Sequence, residues 1–129
     1  FIYDNSPESQ RMKDDSIIYR SDPTNSGVSK AYNTAADYAV QHGYDWLLLL
    51  DQDTLFPTNT FNVFMSEIDQ NPEISLFVPQ IMYREGRYFS PVSWKLMRPQ
   101  GIFLSEGVYK LKDYSVVNSG ICVNVAIFN

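Results

Sequence analysis

An uninterrupted apolar run that ends abruptly in acidic residues constrains the fold of this chain more than any other feature. Trp46 is followed by four leucines, and the run stops at Asp51-Gln52-Asp53. A short apolar run without alternation is typical of a strand buried on both faces, as in a parallel sheet. Leucine alone would also permit a helix, but the short length and the flanking Gly43 and Pro57 favour a strand.

Helical patterns lie on both sides of this strand. The residues of the first pattern recur at helical spacing and are Val28, Ala31, Tyr32, Ala35, Ala36 and Ala39. The second consists of Phe61, Phe64, Met65 and Ile68. His42-Gly43 is expected to end the first helix, and we interpret His42, the only histidine, as a helix cap rather than a catalyst.

The order of elements predicts an α/β fold. Further strands are predicted at residues 1–3, 17–19 and 74–78, a short helix or loop at 8–15, and a β-ribbon or long excursion at 84–115. Alternating strands and helices indicate a three-layer α/β sandwich with a mainly parallel sheet. Ligands bind beyond the carboxyl ends of such strands. The polar clusters expected to meet on that rim are residues 4–6, 22–27 and 51–53.

Asp51 and Asp53 are the candidate metal ligands. Carboxylates two residues apart on an extended strand point to opposite faces, so they converge on one ion only if the chain turns there. Their hard oxygen atoms suit Mg²⁺ or Mn²⁺, and diphosphate oxygens would complete the coordination shell. A metal ion would neutralise the charge on a departing nucleoside diphosphate. The alternatives are that one carboxylate binds the ion through a water molecule or contacts a ribose instead, or that both simply begin a turn.

Two segments of this region resemble family 2 glycosyltransferases. They are residues 25–33, which begin Asn-Ser-Gly, and residues 44–54, which end in Asp-Gln-Asp-Thr. The pattern is closest to the bacterial rhamnosyltransferase-like subgroup, which has the GT-A fold. Residues 3–6 resemble that family's nucleotide-binding strand end. Asn118-Ser119-Gly120 resembles the Ser-Gly segment that precedes its acceptor region.

The resemblance implies a role for individual side chains. The residues that would bind the nucleotide sugar are Asp4, Asn25, Gly27, Lys30, Asn33 and Asp51. Among them, Asp4 would contact the nucleobase or ribose, and Asp53 would ligate the metal ion together with Asp51. Each residue also has an ordinary structural role, because Asp and Asn form turns and a helical lysine is usually solvated.

The implied reaction is metal-assisted transfer of a sugar from a nucleoside-diphosphate donor, dTDP- or UDP-linked, with inversion. The acceptor would be a saccharide or a lipid-linked sugar in bacterial cell-surface polysaccharide synthesis. We expect a nucleotide-binding half at about 1–83, an excursion at 84–115 and the start of an acceptor half at 116–129. Both ends of the chain are apolar, which indicates an incomplete domain. The family's first strand would precede Phe1 and its general base would follow Asn129, so this piece alone is expected to be inactive.

The composition of the chain limits the classes of molecule that it is expected to bind. The chain carries a net charge of -5 with only 10 Lys and Arg, which disfavours binding to nucleic acid. Its single cysteine, Cys122, excludes an internal disulfide framework. Neither a signal peptide nor an apolar run of bilayer length is visible. We therefore expect a cytoplasmic protein, and peripheral association with the inner face of the membrane stays open.

Other classes of function remain as alternatives. An aspartyl-nucleophile phosphatase would need Thr or Val at the position of Leu55. A nucleotidyltransferase would need a glycine-rich and basic loop on its first strand. A non-catalytic nucleotide-sugar-binding module is the third alternative. Trp46 is interpreted as a core residue, whereas Trp94 either stacks on a sugar or packs within the protein.

Overall fold

The computed structural model describes residues 1–10, 14–95 and 98–128. The strands are β1 (Ile2–Asp4), β2 (Tyr19–Ser21), β3 (Trp46–Leu48), β4 (Leu76–Phe77), β5 (Ile81–Met82), β6 (Tyr88–Ser90), β7 (Val92–Lys95), β8 (Arg98–Gly101) and β9 (Cys122–Asn124). The helices are α1 (Val28–Gln41) and α2 (Thr60–Gln70), with 3₁₀ turns at Leu111–Asp113 and Val125–Phe128. The chain divides into two compact units. Unit 1 is Phe1–Leu47 with Asn124–Asn129, and unit 2 is Leu48–Val123.

A parallel strand pair begins unit 1. In β1 and β2, Ile2 pairs with Tyr19 and Asp4 pairs with Ser21. The pairing continues past the strand ends, where the amide of Asp22 donates to the carbonyl of Asp4 at 2.8 Å. The predicted strand at 17–19 therefore begins two residues later than expected. The reason is a local turn, in which the amide of Ile17 donates to the carbonyl of Asp14.

Helix α1 packs through the small residues of its predicted stripe. Ala31, Ala36 and Ala39 are buried, so this face allows close approach of neighbouring elements. Gly43, at a φ of 73°, ends the helix. The amide of Gly43 donates to Val40 and that of Tyr44 to Ala39, the pair of bonds that defines a Schellman motif. The prediction that His42-Gly43 ends this helix is confirmed, and His42 occupies the C-cap.

Unit 2 contains α2 and a set of antiparallel strands. Strand β4 pairs antiparallel with β9, β5 with β6, and β7 with β8. The hairpin β7–β8 brings Trp94 opposite Pro99, and its outer edge is joined by a bridge between Val92 and Ser115. The predicted β-ribbon in residues 84–115 is confirmed. The predicted strand at 74–78 is shortened to the two residues of β4.

Gln80 and Ser90 connect the strands of unit 2. The Gln80 side-chain amide donates to the carbonyls of Ser90, at 2.7 Å, and Ile102, at 3.0 Å, and its oxygen accepts from the amide of Leu104. Ser90 is fully buried, and its hydroxyl oxygen accepts from the amide of Val117 at 3.2 Å. These bonds satisfy backbone groups that would otherwise be buried without partners.

The α/β class is confirmed, but a mainly parallel three-layer sandwich is not evident in the described pairings. The pairing of β1 and β2 is parallel, whereas β4–β9, β5–β6 and β7–β8 are antiparallel. The hairpins β5–β6 and β7–β8 have short connections, which permit only antiparallel pairing. The predicted division of the chain at residues 83 and 115 stays a prediction.

Strand β3 is shorter than the apolar run that predicted it. It ends at Leu48, Leu49 is buried, and Leu50 is exposed. The run therefore does not continue as a strand buried on both faces up to Asp51. Helix α2 corresponds to the second predicted helix and ends at Asn71, whose side-chain amide donates to the carbonyl of Glu67. The predicted short helix or loop at 8–15 forms no helix at 8–10 or 14–15, and residues 11–13 lie outside the described residues.

Among the described residues, neither helix has the length and apolar composition that crossing a bilayer requires.

Gly120 provides a stability test with an internal control. Its φ is +76°, and a β-carbon there would lie 2.7 Å from Pro79 and 2.9 Å from Phe56. Gly86 has a φ of +79° but open space around it. Gly86→Ala should cost about 1 kcal/mol from backbone strain alone, and Gly120→Ala about 1–3 kcal/mol more from the steric clash. Urea denaturation of both variants measures the difference, and equal losses would contradict the steric argument.

Candidate functional site

A buried aspartate organises the polar loop of unit 1. Asp22 is only 8% exposed, and its carboxylate accepts hydrogen bonds from the Thr24 hydroxyl at 2.5 Å, the Ser26 amide at 3.2 Å and the Tyr3 hydroxyl at 2.9 Å. The bonds from Thr24, Ser26 and Tyr3 hold the pKa of Asp22 well below its usual range. The sequence placed Asp22 in a polar cluster without assigning it a role. The sequence did contain an indication of this role, because Asp22 lies two residues before Thr24 and four before Ser26, a spacing that allows hydrogen bonds within one turn.

Three predicted nucleotide-sugar residues lie around this aspartate. Asn25 and Gly27 both have positive φ angles, 50° and 93°, which turn the chain into α1. The Lys30 ammonium lies 3.2 Å from the Ser26 hydroxyl and 3.8 Å from the Asp22 carboxylate. Apart from the neighbours of Gly27 in the chain, no atom of the described residues lies within 4 Å of the position that a β-carbon of Gly27 would take, so the entrance to the helix is open. The structure therefore brings Asn25, Gly27 and Lys30 to one loop.

Asp4 lies beside this loop but has little bonding capacity left. Its carboxylate accepts hydrogen bonds from the Ser6 amide at 2.8 Å, the Tyr19 hydroxyl and the Gln10 amide at 3.2 Å. These bonds, those from Ser6 foremost, hold the pKa of Asp4 well below its usual range. A carboxylate has about four acceptor sites, and three are occupied within unit 1. Contact of this carboxylate with a nucleobase or ribose stays a prediction.

Asn5, which directly follows Asp4, belongs to the polar cluster at residues 4–6, and the sequence analysis assigned it no role of its own. Among the residues that the structure describes, its Oδ1 atom is a buried side-chain acceptor without a hydrogen-bond partner. Buried polar atoms are rarely left unpaired, and an unpaired one at a site requires an explanation. The signal in the sequence was its place at the end of a strand, where ligands of α/β proteins bind.

Asn33 has different surroundings from Lys30, although both lie on α1. Asn33 lines an open cavity of about 280 Å³ together with Ala36, Asp37, Val40 and Phe128. The contacts of Lys30 are instead with the Asp22–Ser26 loop. The structure thus does not bring Asn33 into the hydrogen-bonded cluster around Asp22.

The loop that carries Asp51 and Asp53 lies in unit 2 and is held at both ends. Before it, the amide of Leu49 donates to the carbonyl of Ile121 at 2.9 Å, and the amide of Gly120 donates to the carbonyl of Leu49 at 2.7 Å. After it, the buried Ser119 hydroxyl donates to the Thr54 hydroxyl at 2.8 Å. The loop is therefore fixed to the segment Asn118-Ser119-Gly120, which the sequence analysis singled out separately.

The two carboxylates of this loop suit a divalent cation whose remaining coordination positions are filled by a bound diphosphate. The chain turns at Gln52–Asp53, as convergence of Asp51 and Asp53 on one ion requires, and both residues are exposed. Across the described parts of the chain, no group of three or more His, Cys, Asp or Glu side chains is placed to hold a metal ion. Two hard carboxylates fit Mg²⁺ or Mn²⁺ when diphosphate and water supply the other oxygen atoms.

The other residues considered from the sequence have definite surroundings. The His42 ring stacks on Tyr38 at 3.9 Å, and its Nδ1 atom lies 2.8 Å from the Tyr38 carbonyl, which agrees with a capping role. Trp46 is half-buried. Trp94 is 60% exposed, and its indole NH donates to the Ser115 hydroxyl at 3.0 Å.

The lowered pKa values of Asp4 and Asp22 predict acid-sensitive stability. Both carboxyls have an ordinary pKa of 3.8 and a lower one in the folded chain. Their contribution to stability is therefore complete above about pH 4 and is lost as the pH falls through the folded pKa values. Thermal unfolding measured between pH 7 and pH 2 should show this loss. Asp22→Asn should be less stable than wild type at pH 7 and lose less stability on acidification. An equal acid dependence of the two proteins would contradict the assignment to Asp22.

The sequence model of glycosyl transferase family 2 matches residues 4–126, which include both units. Searches of the curated proteins and of the solved structures found no significant match. The family match supports a glycosyltransferase rather than the phosphatase or the nucleotidyltransferase considered as alternatives. It also implies the GT-A fold and the use of a nucleotide-sugar donor and an acceptor. The chain belongs to glycosyltransferase family 2.

Proposed function

We propose that this chain binds a dTDP- or UDP-linked sugar with Mg²⁺ or Mn²⁺ and belongs to an inverting transferase of the rhamnosyltransferase type. The observation that carries the proposal is the fixed loop with Asp51 and Asp53, held by the bonds of Leu49 to Gly120 and Ile121 and of Thr54 to Ser119. A loop held at both ends presents its carboxylates with little loss of entropy when a charged ligand binds.

Asp53 is proposed as the metal ligand, and Asp51 as a second ligand or a ribose contact. A bound Mg²⁺ or Mn²⁺ would supply positive charge for the diphosphate leaving group. Asp51 and Asp53 would hold this ion on the fixed loop between Leu49 and Thr54. The turn at Gln52–Asp53 directs both carboxylates to solvent, where a ligand has access to them.

The donor is proposed to interact with unit 1 through Asn5, Lys30 and the open helix entrance at Gly27. The Lys30 side chain is 58% exposed, and its ammonium group would provide a positive charge for the donor. The unpaired Oδ1 of Asn5 is buried, and a rotation of the side chain toward the donor would let it accept the N–H that uracil and thymine carry between two carbonyl groups. An acceptor at this position favours these two bases over cytosine, because the corresponding ring nitrogen of cytosine carries no hydrogen. Asp4 and Asn25 are proposed to shape this region, and Asn33 to contact the donor from α1.

The remaining features of the intact enzyme are proposed from family membership. The complete domain is proposed to be a three-layer GT-A sandwich with a mainly parallel sheet. Its acceptor is proposed to be a saccharide or lipid-linked sugar in bacterial cell-surface polysaccharide synthesis. The protein would act in the cytoplasm, with peripheral association at the inner face of the membrane.

Metal-dependent nucleotide binding tests the proposal. With Mn²⁺ plus UDP or dTDP, the thermal midpoint of the wild type should rise by several degrees once ligand is about 100-fold above its Kd. Neither component alone should have this effect, and Asp53→Ala should abolish it. Asp69→Ala, which removes an exposed carboxylate from α2, is the matched control and should keep the shift. A shift that survives in Asp53→Ala would overturn the assignment of the metal ligand.

Asn5 should determine which base is bound. Asn5→Leu removes the partner of the base N–H, and an unpaired buried donor costs about 1–3 kcal/mol. The affinity for UDP should therefore fall about 5- to 100-fold in Asn5→Leu, whereas the weaker affinity for CDP should change little. Calorimetric titration measures both, with Asn62→Leu on the exposed surface of α2 as the control. Equal losses for UDP and CDP would show that Asn5 does not distinguish the bases.

A further inference from the structure

The ribbon, defined as residues 81–115 of unit 2, differs in charge from the rest of the chain. It contains six of the 10 Lys and Arg residues but only three of the 15 Asp and Glu residues. Its net charge is therefore +3, and that of the remaining residues is -8. A chain that is acidic as a whole thus carries one basic segment. Charges separated by more than a Debye length, about 8 Å at physiological salt, are largely screened from each other, so this segment can attract an anionic surface.

The ribbon also exposes large apolar side chains. Phe103 is 61% exposed, Trp94 60% and Val108 76%. Further exposed residues of the ribbon are Met82, Tyr83, Tyr88, Phe89, Tyr109 and Leu111. Single exposed apolar residues are common on protein surfaces, but the described part of this 35-residue segment carries nine of them.

Contacts within the ribbon hold several of these rings in place. Tyr83 and Phe89 lie 4.9 Å apart, and Tyr88 and Phe103 lie 5.5 Å apart, between ring centroids. The Arg87 guanidinium lies 5.3 Å from the centre of the Tyr83 ring. Because the rings are ordered by their neighbours, they can be presented to a partner at a small entropic cost.

We propose that the ribbon docks on an anionic lipid surface. Aromatic rings with polar edges and basic side chains with long apolar stems are the groups that partition into the boundary between headgroups and acyl chains. A soluble polyanion would use the basic charge alone and would leave the exposed rings in water. Each Lys or Arg near an anionic membrane strengthens binding about fivefold, and the acidic remainder of the chain is repelled.

This inference deepens the membrane association proposed above by naming the surface responsible. It rests on that part of the proposed function only, because it requires neither the metal ligands Asp51 and Asp53 nor a donor sugar. Failure of vesicle binding would leave nucleotide binding intact, and loss of nucleotide binding would leave vesicle binding intact. The two proposals can therefore fail separately.

Vesicle cosedimentation of the full chain tests the charge contribution. The protein should bind vesicles of equal parts phosphatidylcholine and phosphatidylglycerol and should not bind vesicles of phosphatidylcholine alone. Arg84→Glu, in the ribbon, should weaken binding at least about tenfold. The matched control is Arg20→Glu, an exposed arginine of unit 1, which should leave the affinity within a factor of about two. Equal weakening by the two changes would overturn the proposal.

A second pair of variants tests the aromatic contribution. Trp94→Ala should weaken vesicle binding at least about fivefold through lost burial of its ring. Phe61→Ala, which removes a ring of α2 that is 63% exposed, should have no such effect. Tight binding to dextran sulfate that Trp94→Ala leaves unchanged, together with vesicle binding that it also leaves unchanged, would identify a polyanion site instead. A dimer in sedimentation that Trp94→Ala dissociates would identify the ribbon as a contact between copies; either outcome overturns lipid docking.

Discussion

The attachment of residues 49–54 to the segment 118–121 is the constraint on which the candidate site of unit 2 depends. Leu49 is bonded through its backbone to Gly120 and Ile121, and Thr54 through its hydroxyl to Ser119. Gly120 makes this possible, because its φ of +76° and its contacts with Pro79 and Phe56 leave no room for a side chain. The two exposed carboxylates between these attachments are thereby held in a turn. The packing of Gly120 and the proposed binding at Asp51 and Asp53 therefore depend on the same two attached segments.

In unit 1, hydrogen bonds to two carboxylates position the polar groups. Its carboxylates act as acceptors for their own neighbourhood: Asp4 binds Ser6, Gln10 and Tyr19, and Asp22 binds Tyr3, Thr24 and Ser26. Hydrogen bonds to an ionised carboxylate are stronger than those between neutral groups, which suits them to hold irregular backbone. This organisation leaves the turn before α1 open at Gly27. It also explains how a loop rich in Ser, Thr and Asn keeps a defined conformation without a large core.

Features of the fold that depend on residues close together in the sequence could be predicted, whereas those that depend on distant residues could not. Helix α1 and its Schellman end follow from the spacing of Ala31, Ala36 and Ala39 and from Gly43, since periodicity and glycine act locally. The family resemblance rested on two continuous segments and was confirmed. The bonds of Gln80 to Ser90, Ile102 and Leu104 join positions up to 24 residues apart, and no local pattern indicates them. For the same reason the direction of β9 against β4, and the end of β3 before Leu50, could not be predicted from the apolar run.

The aspartates of this chain therefore fall into two kinds that sequence alone does not separate. The carboxylates of Asp4 and Asp22 accept hydrogen bonds within the fold, and these bonds lower their pKa values. Asp51 and Asp53 are exposed on a fixed turn, where a cation and a diphosphate can reach them. In unit 1 the Asp4 carboxylate already accepts three hydrogen bonds, whereas the buried Oδ1 of the adjacent Asn5 has no partner within the described chain. A carboxylate whose acceptor sites are mostly occupied within the fold can form few hydrogen bonds to a ligand. The neighbouring amide oxygen without a partner is therefore the better candidate for recognition.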